Sequence, residues 1–167
     1  MINKFNSLFV TLFGVGKVKF APGTIASLLT TIFFFYLIYI VLVSKEIILF
    51  FLILIFLYSI YAISTYIKNK DSKDPKEIVI DEVIGQSIPL YMYEIAHGIE
   101  KDPQDAFLFY ICIFILFRFF DIKKPYPVSF FDKKFKNTFG VIFDDIAAGI
   151  YTTLTLVIFM IIKSKLF

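Results

Sequence analysis

Residues 25–67 read IASLLTTIFFFYLIYIVLVSKEIILFFLILIFLYSIYAISTYI, and they decide what kind of molecule this is. Ile25–Val43 is 19 residues without a formal charge and Ile47–Ile67 is 21, separated only by Ser44-Lys45-Glu46. Each matches the ~20 residues a helix needs to cross a ~30 Å hydrocarbon layer. The pair reads as a tight helical hairpin. Outward along the chain, Ala106–Phe120 is a shorter apolar run interrupted near its end by Arg118. Ile146–Ile162 is a fourth run, bounded by Asp144-Asp145 and Lys163. Ile78–Ile95 differs: it opens with Asp81-Glu82, holds Gln86 and Pro89, ends at Glu94, and is free of charge only over Val83–Tyr93. That length fits a short buried crossing helix, a re-entrant segment or an interfacial one. The expected fold is all-α: a polytopic helical membrane protein with about four long apolar helices plus one shorter helix carrying Asp81-Glu82. One domain over 1–167 is expected.

Composition points the same way. Mean hydropathy is +0.81, with 59% hydrophobic and 19% charged residues, against roughly 45–50% and about 25% in globular chains. A single water-soluble core has no room for 23 Phe and 10 Tyr, and disorder is excluded by the same figures. One cysteine rules out an internal disulfide framework or a cysteine metal cluster; Cys112, in mid-run, reads as a helix-packing residue. His97, the only histidine, falls in a predicted loop on the side away from the acidic clusters, which argues against His-based catalysis or a His-ligated metal. Leu8–Phe13 is too short for a signal core and has no small-residue cleavage site after it. Basic residues set the topology. If 78–95 crosses, thirteen Lys and Arg fall on one side and four on the other; if it does not, the split is ten to seven. The positive-inside rule favours the first arrangement. It gives five crossings and puts every unusual polar cluster on the cytoplasmic face.

Three constellations carry chemistry. Asp81-Glu82 and Asp144-Asp145 are acidic pairs, each read at the start of an apolar helix, where the macrodipole favours carboxylates by roughly 0.3–1 kcal/mol. Two such pairs at membrane depth ask for more, because buried carboxylates need a partner or a metal. Gly85 and Ala148 stand four positions after the first acid of each pair, on the same helix face, so a neighbouring helix can come close. Hard carboxylate ligands select Mg²⁺, Ca²⁺ or Mn²⁺ over zinc. In the second constellation an apolar helix ends in Arg118 and Asp121, followed by Lys123, Lys124 and Pro125. Lys123 reads as a snorkelling anchor. Arg118 needs an anion, and Asp121 or a phosphate suits its bidentate geometry. Lys124, before proline, is expected in an extended backbone. The third is Ala21-Pro22-Gly23-Thr24-Ile25-Ala26-Ser27, with Thr24 read as the N-cap of a helix beginning at Ile25; such a start binds phosphate readily. Lys17 and Lys19 add positive charge nearby or contact anionic headgroups. No Asp-x-Asp pair is present, which argues against the commonest aspartyl-phosphate chemistry.

Taken together these stretches resemble the phosphatidylglycerophosphatase A family. The matching pieces are Gly14-x-Gly16, Ala21-Pro-Gly-Thr-x-Ala-Ser27, Asp81-Glu82-x-x-Gly85, Phe117-Arg-x-Phe-Asp-Ile-x-Lys-Pro-x-Pro127, Asp132 and Asp144-Asp-Ile-x-Ala-Gly149. They occur in family order over roughly residues 8–150. One departure is Asn137-Thr138-Phe139 ahead of Gly140, where the family often has Gly-Gly, so that loop is shaped differently. The resemblance implies a small helical enzyme of the bacterial inner membrane. It would remove the terminal phosphate of phosphatidylglycerophosphate on the cytoplasmic face, giving phosphatidylglycerol, with Mg²⁺ required. On that reading Asp81, Glu82, Asp144 and Asp145 hold one or two Mg²⁺ ions, while Arg118 and Lys124 clamp the phosphate oxygens. Asp121 orients Arg118, ligates metal or assists proton transfer. Gly23, Thr24 and Ser27 are further phosphate contacts. The partners are a membrane phospholipid and the bilayer, with no nucleic acid; the sequence leaves oligomeric state open. Two other readings use the same residues: a small cation channel or transporter lined by the acids, and a phosphatase of this fold acting on another lipid or prenyl phosphate.

Overall fold

The structure, a computed structural model, describes residues 4–68, 70, 75–96, 102–126, 128–130 and 138–166. His97, Pro127, Asp132 and Asn137 lie outside them. In chain order come α1 (Lys4–Val10), a 3-10 turn (Leu12–Lys17), α2 (Pro22–Phe35) continued by a π-helical turn (Tyr36–Ile40), α3 (Lys45–Ile67), α4 (Ile80–Ala96), α5 (Pro103–Lys123) and α6 (Thr138–Leu166). No strand occurs among the described residues. Three helices are long and apolar enough to cross a membrane: Pro22–Ile40, Lys45–Ile67 and Thr138–Ile162. About four were expected; α5 has the length but carries Asp105, Arg118, Asp121 and Lys123 among its 21 residues. The spans turn large apolar side chains outward, Phe33, Phe50, Leu57 and Ile158 among them, as helices solvated by lipid do.

Several sequence expectations need correction. α2 begins at Pro22, three residues before the predicted start, because proline at the first helical position has its φ already set. Ala21, in the left-handed region (φ 44°, ψ 53°), precedes it, and Thr24 lies inside the first turn instead of capping it. α6 begins at Thr138, so Asp144-Asp145 are two turns inside the helix, beyond the reach of its N-terminal dipole. The helix extends backward because Val141 and Ile142 are buried with Ile63 and Ile84. Lys124 is left-handed (φ 44°, ψ 57°), not extended; its N–H caps α5 by donating to Phe120 O at 2.9 Å. That helix-terminating bond outweighs the pre-proline preference. Cys112 is exposed on the outside of α5, not packed between helices.

The α2–α3 pair is no tight hairpin either. Their backbones approach closely at few points: Phe34 and Ile48 share one buried cluster, and a cavity of about 960 Å³ lies between the two arms. What organises the bundle is α4, which packs against α2, α3, α5 and α6. Its sequence explains how. Pro89 has no N–H for the carbonyl of Gly85, four residues back, and that carbonyl is where α6 comes closest. A Cβ on Gly149 would stand 2.5 Å from Gly85 O, and a Cβ on Gly85 would stand 2.6 Å from Asp145 O. The predicted close approach at Gly85 is therefore present, with Gly149 as the facing small residue and fully buried Ala148 beside it.

α2 and α4 run parallel and meet at both ends. At one end Gly23 faces the Glu82 carboxylate. At the other, Glu94 accepts hydrogen bonds from Tyr39 (3.1 Å) and Tyr110 (2.8 Å), and Lys45 donates to its backbone carbonyl. Though only 17 residues long, α4 thus reaches the same depth as α2, about 25 Å at 1.5 Å per residue. Outside the spans Glu77 pairs with Lys70 and accepts from Tyr66 at 2.8 Å. The hydrogen bond from Lys70, with that from Tyr66, holds its carboxyl below the usual range.

Candidate active site

Four helix segments converge at one end of the bundle, each carrying its piece for a local reason. α4 opens on Asp81-Glu82, placed in its first turn where the macrodipole stabilises carboxylates. α2 opens on Pro22-Gly23. Because Pro22 lacks an N–H and Ile25 N donates to Ala21 O (3.1 Å), the amides of Gly23 and Thr24 are the ones left without a partner inside the helix. α5 closes on Arg118 and Asp121, one turn apart on a single face. α6 brings Asp144-Asp145 from within its length, pressed in by the Gly85 crossing.

The contacts are specific. Asp81, Glu82 and Asp145 each offer a carboxylate oxygen within 4.8 Å of the others, so a single ion can reach all three. Asp81 and Asp145 are 6% and 4% exposed. Arg118 Nη1 pairs with Asp121 Oδ2 at 2.6 Å and reaches Ser27 Oγ at 3.4 Å. Ser27 in turn donates to Gly23 O at 2.9 Å. A Cβ on residue 23 would run into the Glu82 carboxylate and stand 3.4 Å from Arg118 Nη1, so glycine there makes the room that lets Glu82 and Arg118 meet α2. Lys124 Nζ pairs with Asp144 Oδ2 at 2.6 Å.

Asp81, Glu82, Arg118, Asp121, Lys124, Asp144 and Asp145 are thus brought to one end of the bundle, while Asp132 lies outside the described residues. Asp144 stands apart in one respect: its carboxylate holds Lys124 and is not one of the three that share an ion-sized space. Thr24 sits half-buried in the α2 first turn. Sequence reasoning missed Gln86. It is fully buried one turn past Glu82 on the same face, and neither its Oε1 nor its Nε2 has a hydrogen-bond partner. The signal was available, as a carboxamide four residues after an acid inside an apolar helix.

The electrostatics call for a cation. Among the described residues, the carboxylates of Asp81, Glu82, Asp121, Asp144 and Asp145 gather with Arg118 and Lys124 in a largely buried space. Glu82 Oε2 and Asp145 Oδ1 are buried with no donor, a cost of about 1–3 kcal/mol each or more for charged groups. An oxygen-only set of this kind suits a hard divalent ion. Beside it stand an arginine, a lysine and the start of a helix, three devices for holding phosphate.

Comparison with known proteins agrees in scope. The profile of the family described as Phosphatidylglycerophosphatase A matches residues 8–160. A Phosphatidylglycerophosphatase A of Haemophilus influenzae is 36% identical over 142 residues, covering 85% of this chain and 80% of its own length. A Bacteroides thetaiotaomicron protein named "Putative phosphatidylinositol-3-phosphatase" is 32% identical, covering 87% of each chain. A Phosphatidylglycerophosphatase A of Escherichia coli is 28% identical, covering 83% of this chain and 73% of its own. No solved structure matches significantly.

Proposed function

The chain belongs to the phosphatidylglycerophosphatase A family, and from that premise we propose that it hydrolyses the terminal phosphate of phosphatidylglycerophosphate to phosphatidylglycerol and inorganic phosphate. The observation that carries the reading is the convergence of three ion-ready carboxylates with Arg118 and Lys124 at one end of a membrane bundle. The chain works as one unit over 1–167 in the bacterial inner membrane, its acidic end toward the cytoplasm. α4 and α5 complete five crossings, which the matching depths of Gly23–Glu82 and Tyr39–Glu94 support.

In this mechanism Asp81, Glu82 and Asp145 would hold Mg²⁺, with Asp144 adjoining. The ion, when bound, neutralises phosphate charge and lowers the pKa of water. Arg118 and Lys124 bind the non-bridging oxygens and stabilise the charge that builds as the ester P–O bond breaks. Each cation is aimed by a carboxylate: Asp121 fixes the Arg118 fork and Asp144 tethers the Lys124 amine. Ser27 restrains Arg118 from the α2 side, and the Gly23 and Thr24 amides face the same space as further phosphate donors. Water supplies the oxygen that ends on inorganic phosphate, and the lipid alcohol leaves with a proton. Acyl chains stay in the membrane throughout.

Arg118→Lys keeps the charge and loses the fork. With a charged hydrogen bond contributing about 1.5–3 kcal/mol, phosphate release is expected to fall roughly 10- to 100-fold in a folded protein. An unchanged rate would make Arg118 a structural ion pair.

The reading itself is tested by phosphate release from phosphatidylglycerophosphate, phosphatidylinositol 3-phosphate and phosphatidic acid, with Mg²⁺ and with EDTA. Release from the first, abolished by EDTA, is the expected result. The Bacteroides relative favours one alternative, a phosphatase for an inositol lipid; exclusive turnover of the second substrate would replace the reading by that one. Cation flux across liposomes without phosphate release would favour a channel.

A further inference from the structure

We propose that the cavity between α2 and α3 is the binding site for one acyl chain of the lipid substrate; the proposal rests on the lipid-phosphatase reading of the acidic site. Consecutive apolar helices joined by a short turn ordinarily bury their facing sides against each other. Here the arms share the cluster around Phe34 and Ile48 but leave a space of about 960 Å³ between them, near the upper end of the roughly 300–1,000 Å³ usual for ligand pockets. Both walls come from helices able to cross a membrane, so the medium that meets this space is lipid, not water.

The chemistry of the lining selects hydrocarbon. Leu29, Phe33, Leu37, Phe51 and Leu52 form much of the two walls, with Ile80 and Val83 of α4 as the floor. Beside the Tyr36 phenol, two aliphatic hydroxyl residues also line it, Thr30 and Ser87. Both are turned back on their own helices, Thr30 donating to Ala26 O at 2.8 Å and Ser87 to Val83 O at 2.6 Å. What remains facing the cavity is almost entirely carbon, a surface suited to hydrocarbon rather than to a headgroup or a network of ordered waters.

Position ties the cavity to the reacting end. Ile80 and Val83 immediately flank Asp81-Glu82 in the chain, and Phe9, Leu12 and Phe13 line the cavity too. From there it runs along α2 and α3 to Val43 near the opposite end. A chain lying in it keeps the lipid beside α4 while the phosphorylated headgroup reaches over the α2 start into the acidic cluster. The floor is fixed, because α4 is held by the Gly85 crossing at one end and by Glu94 at the other. Substrate affinity thus depends on chain length through a surface remote from the reacting phosphate.

The full-length protein in mixed micelles provides the test. Leu52→Trp narrows the cavity by placing an indole on the α3 wall. It is expected to raise KM for dioleoyl phosphatidylglycerophosphate about tenfold, the loss of roughly two methylene contacts, with kcat unchanged. Kinetics on the dihexanoyl lipid should not change. Leu154→Trp, an equally large change on the outward face of α6, should alter neither. Since the chain contains no native tryptophan, Phe51→Trp supplies a single rim fluorophore as an independent measurement that does not require a narrowed cavity. Substrate with brominated acyl chains should quench it saturably, and unbrominated substrate should compete. Three outcomes would overturn the proposal: an unchanged KM for the long-chain lipid in folded Leu52→Trp, quenching no different from that by bulk brominated lecithin, or a change of oligomeric state with kinetics intact, which would make the face a contact between copies. Failure of the acyl site would leave hydrolysis of the dihexanoyl lipid in place, whereas failure of the phosphatase reading would abolish it.

Discussion

Asp145→Asn is expected to lower Mg²⁺-dependent phosphate release by about 10³-fold or more, on the scale of removing one charge-stabilising group from a preorganised site. Its carboxylate completes the group of three with Asp81 and Glu82, and its Oδ1 is buried without a donor. Stability should move the opposite way. In EDTA the substitution removes one of several crowded buried carboxylates, so the melting temperature should rise, while the rise that Mg²⁺ gives the native protein should disappear. That opposed pair of changes separates loss of a metal ligand from simple misfolding. Asp81→Asn should behave in the same way. Asp144→Asn should lose less, since what it releases is Lys124. Near-normal turnover in Asp81→Asn and Asp145→Asn would show that these side chains hold no catalytic ion.

Gly85→Ala is the second large effect. A methyl at this position would sit 2.6 Å from Asp145 O and 2.9 Å from Asp145 Cβ, and the obstacle is helix backbone rather than a side chain that can swing away. Overpacking of this kind costs about 1–3 kcal/mol. Here it also pushes directly on the residue that supplies a carboxylate to the acidic cluster. Activity and thermal stability should therefore fall together, unlike the Asp145→Asn result. Gly149→Ala, with its methyl 2.5 Å from Gly85 O, should reproduce the effect from the other side. If both alanine variants retain native stability and rate, the α4–α6 crossing is looser than these distances require.

How much of this was legible in the sequence varied with the physics involved. Long uncharged runs announced α2 and α3 because a bilayer leaves few alternatives to a helix. The spacing of Arg118 and Asp121 put them on one helix face and left Asp121 or a phosphate as the anion for Arg118; the structure shows the Asp121 pair. Reading charge as a boundary misplaced the start of α6. Asp144 and Asp145 are tolerated inside that helix because Lys124 and the neighbouring helices receive them, and those partners come from distant chain. Lys124 itself was misjudged from a local rule about proline, when a capping hydrogen bond to Phe120 determined its backbone. The opening between α2 and α3 left no trace in the residue pattern. Both helices are apolar on all sides, and nothing in such a pattern distinguishes a side that meets protein from one that meets lipid.

The knot of Tyr39, Tyr110 and Lys45 around Glu94 bears on traffic through the protein. Between it and the acids lie Leu90 and Ile113, both sealed from solvent, so whatever enters at one end meets dry hydrocarbon before the other. A polar headgroup at the acidic end therefore has no polar route along the bundle interior past these two side chains.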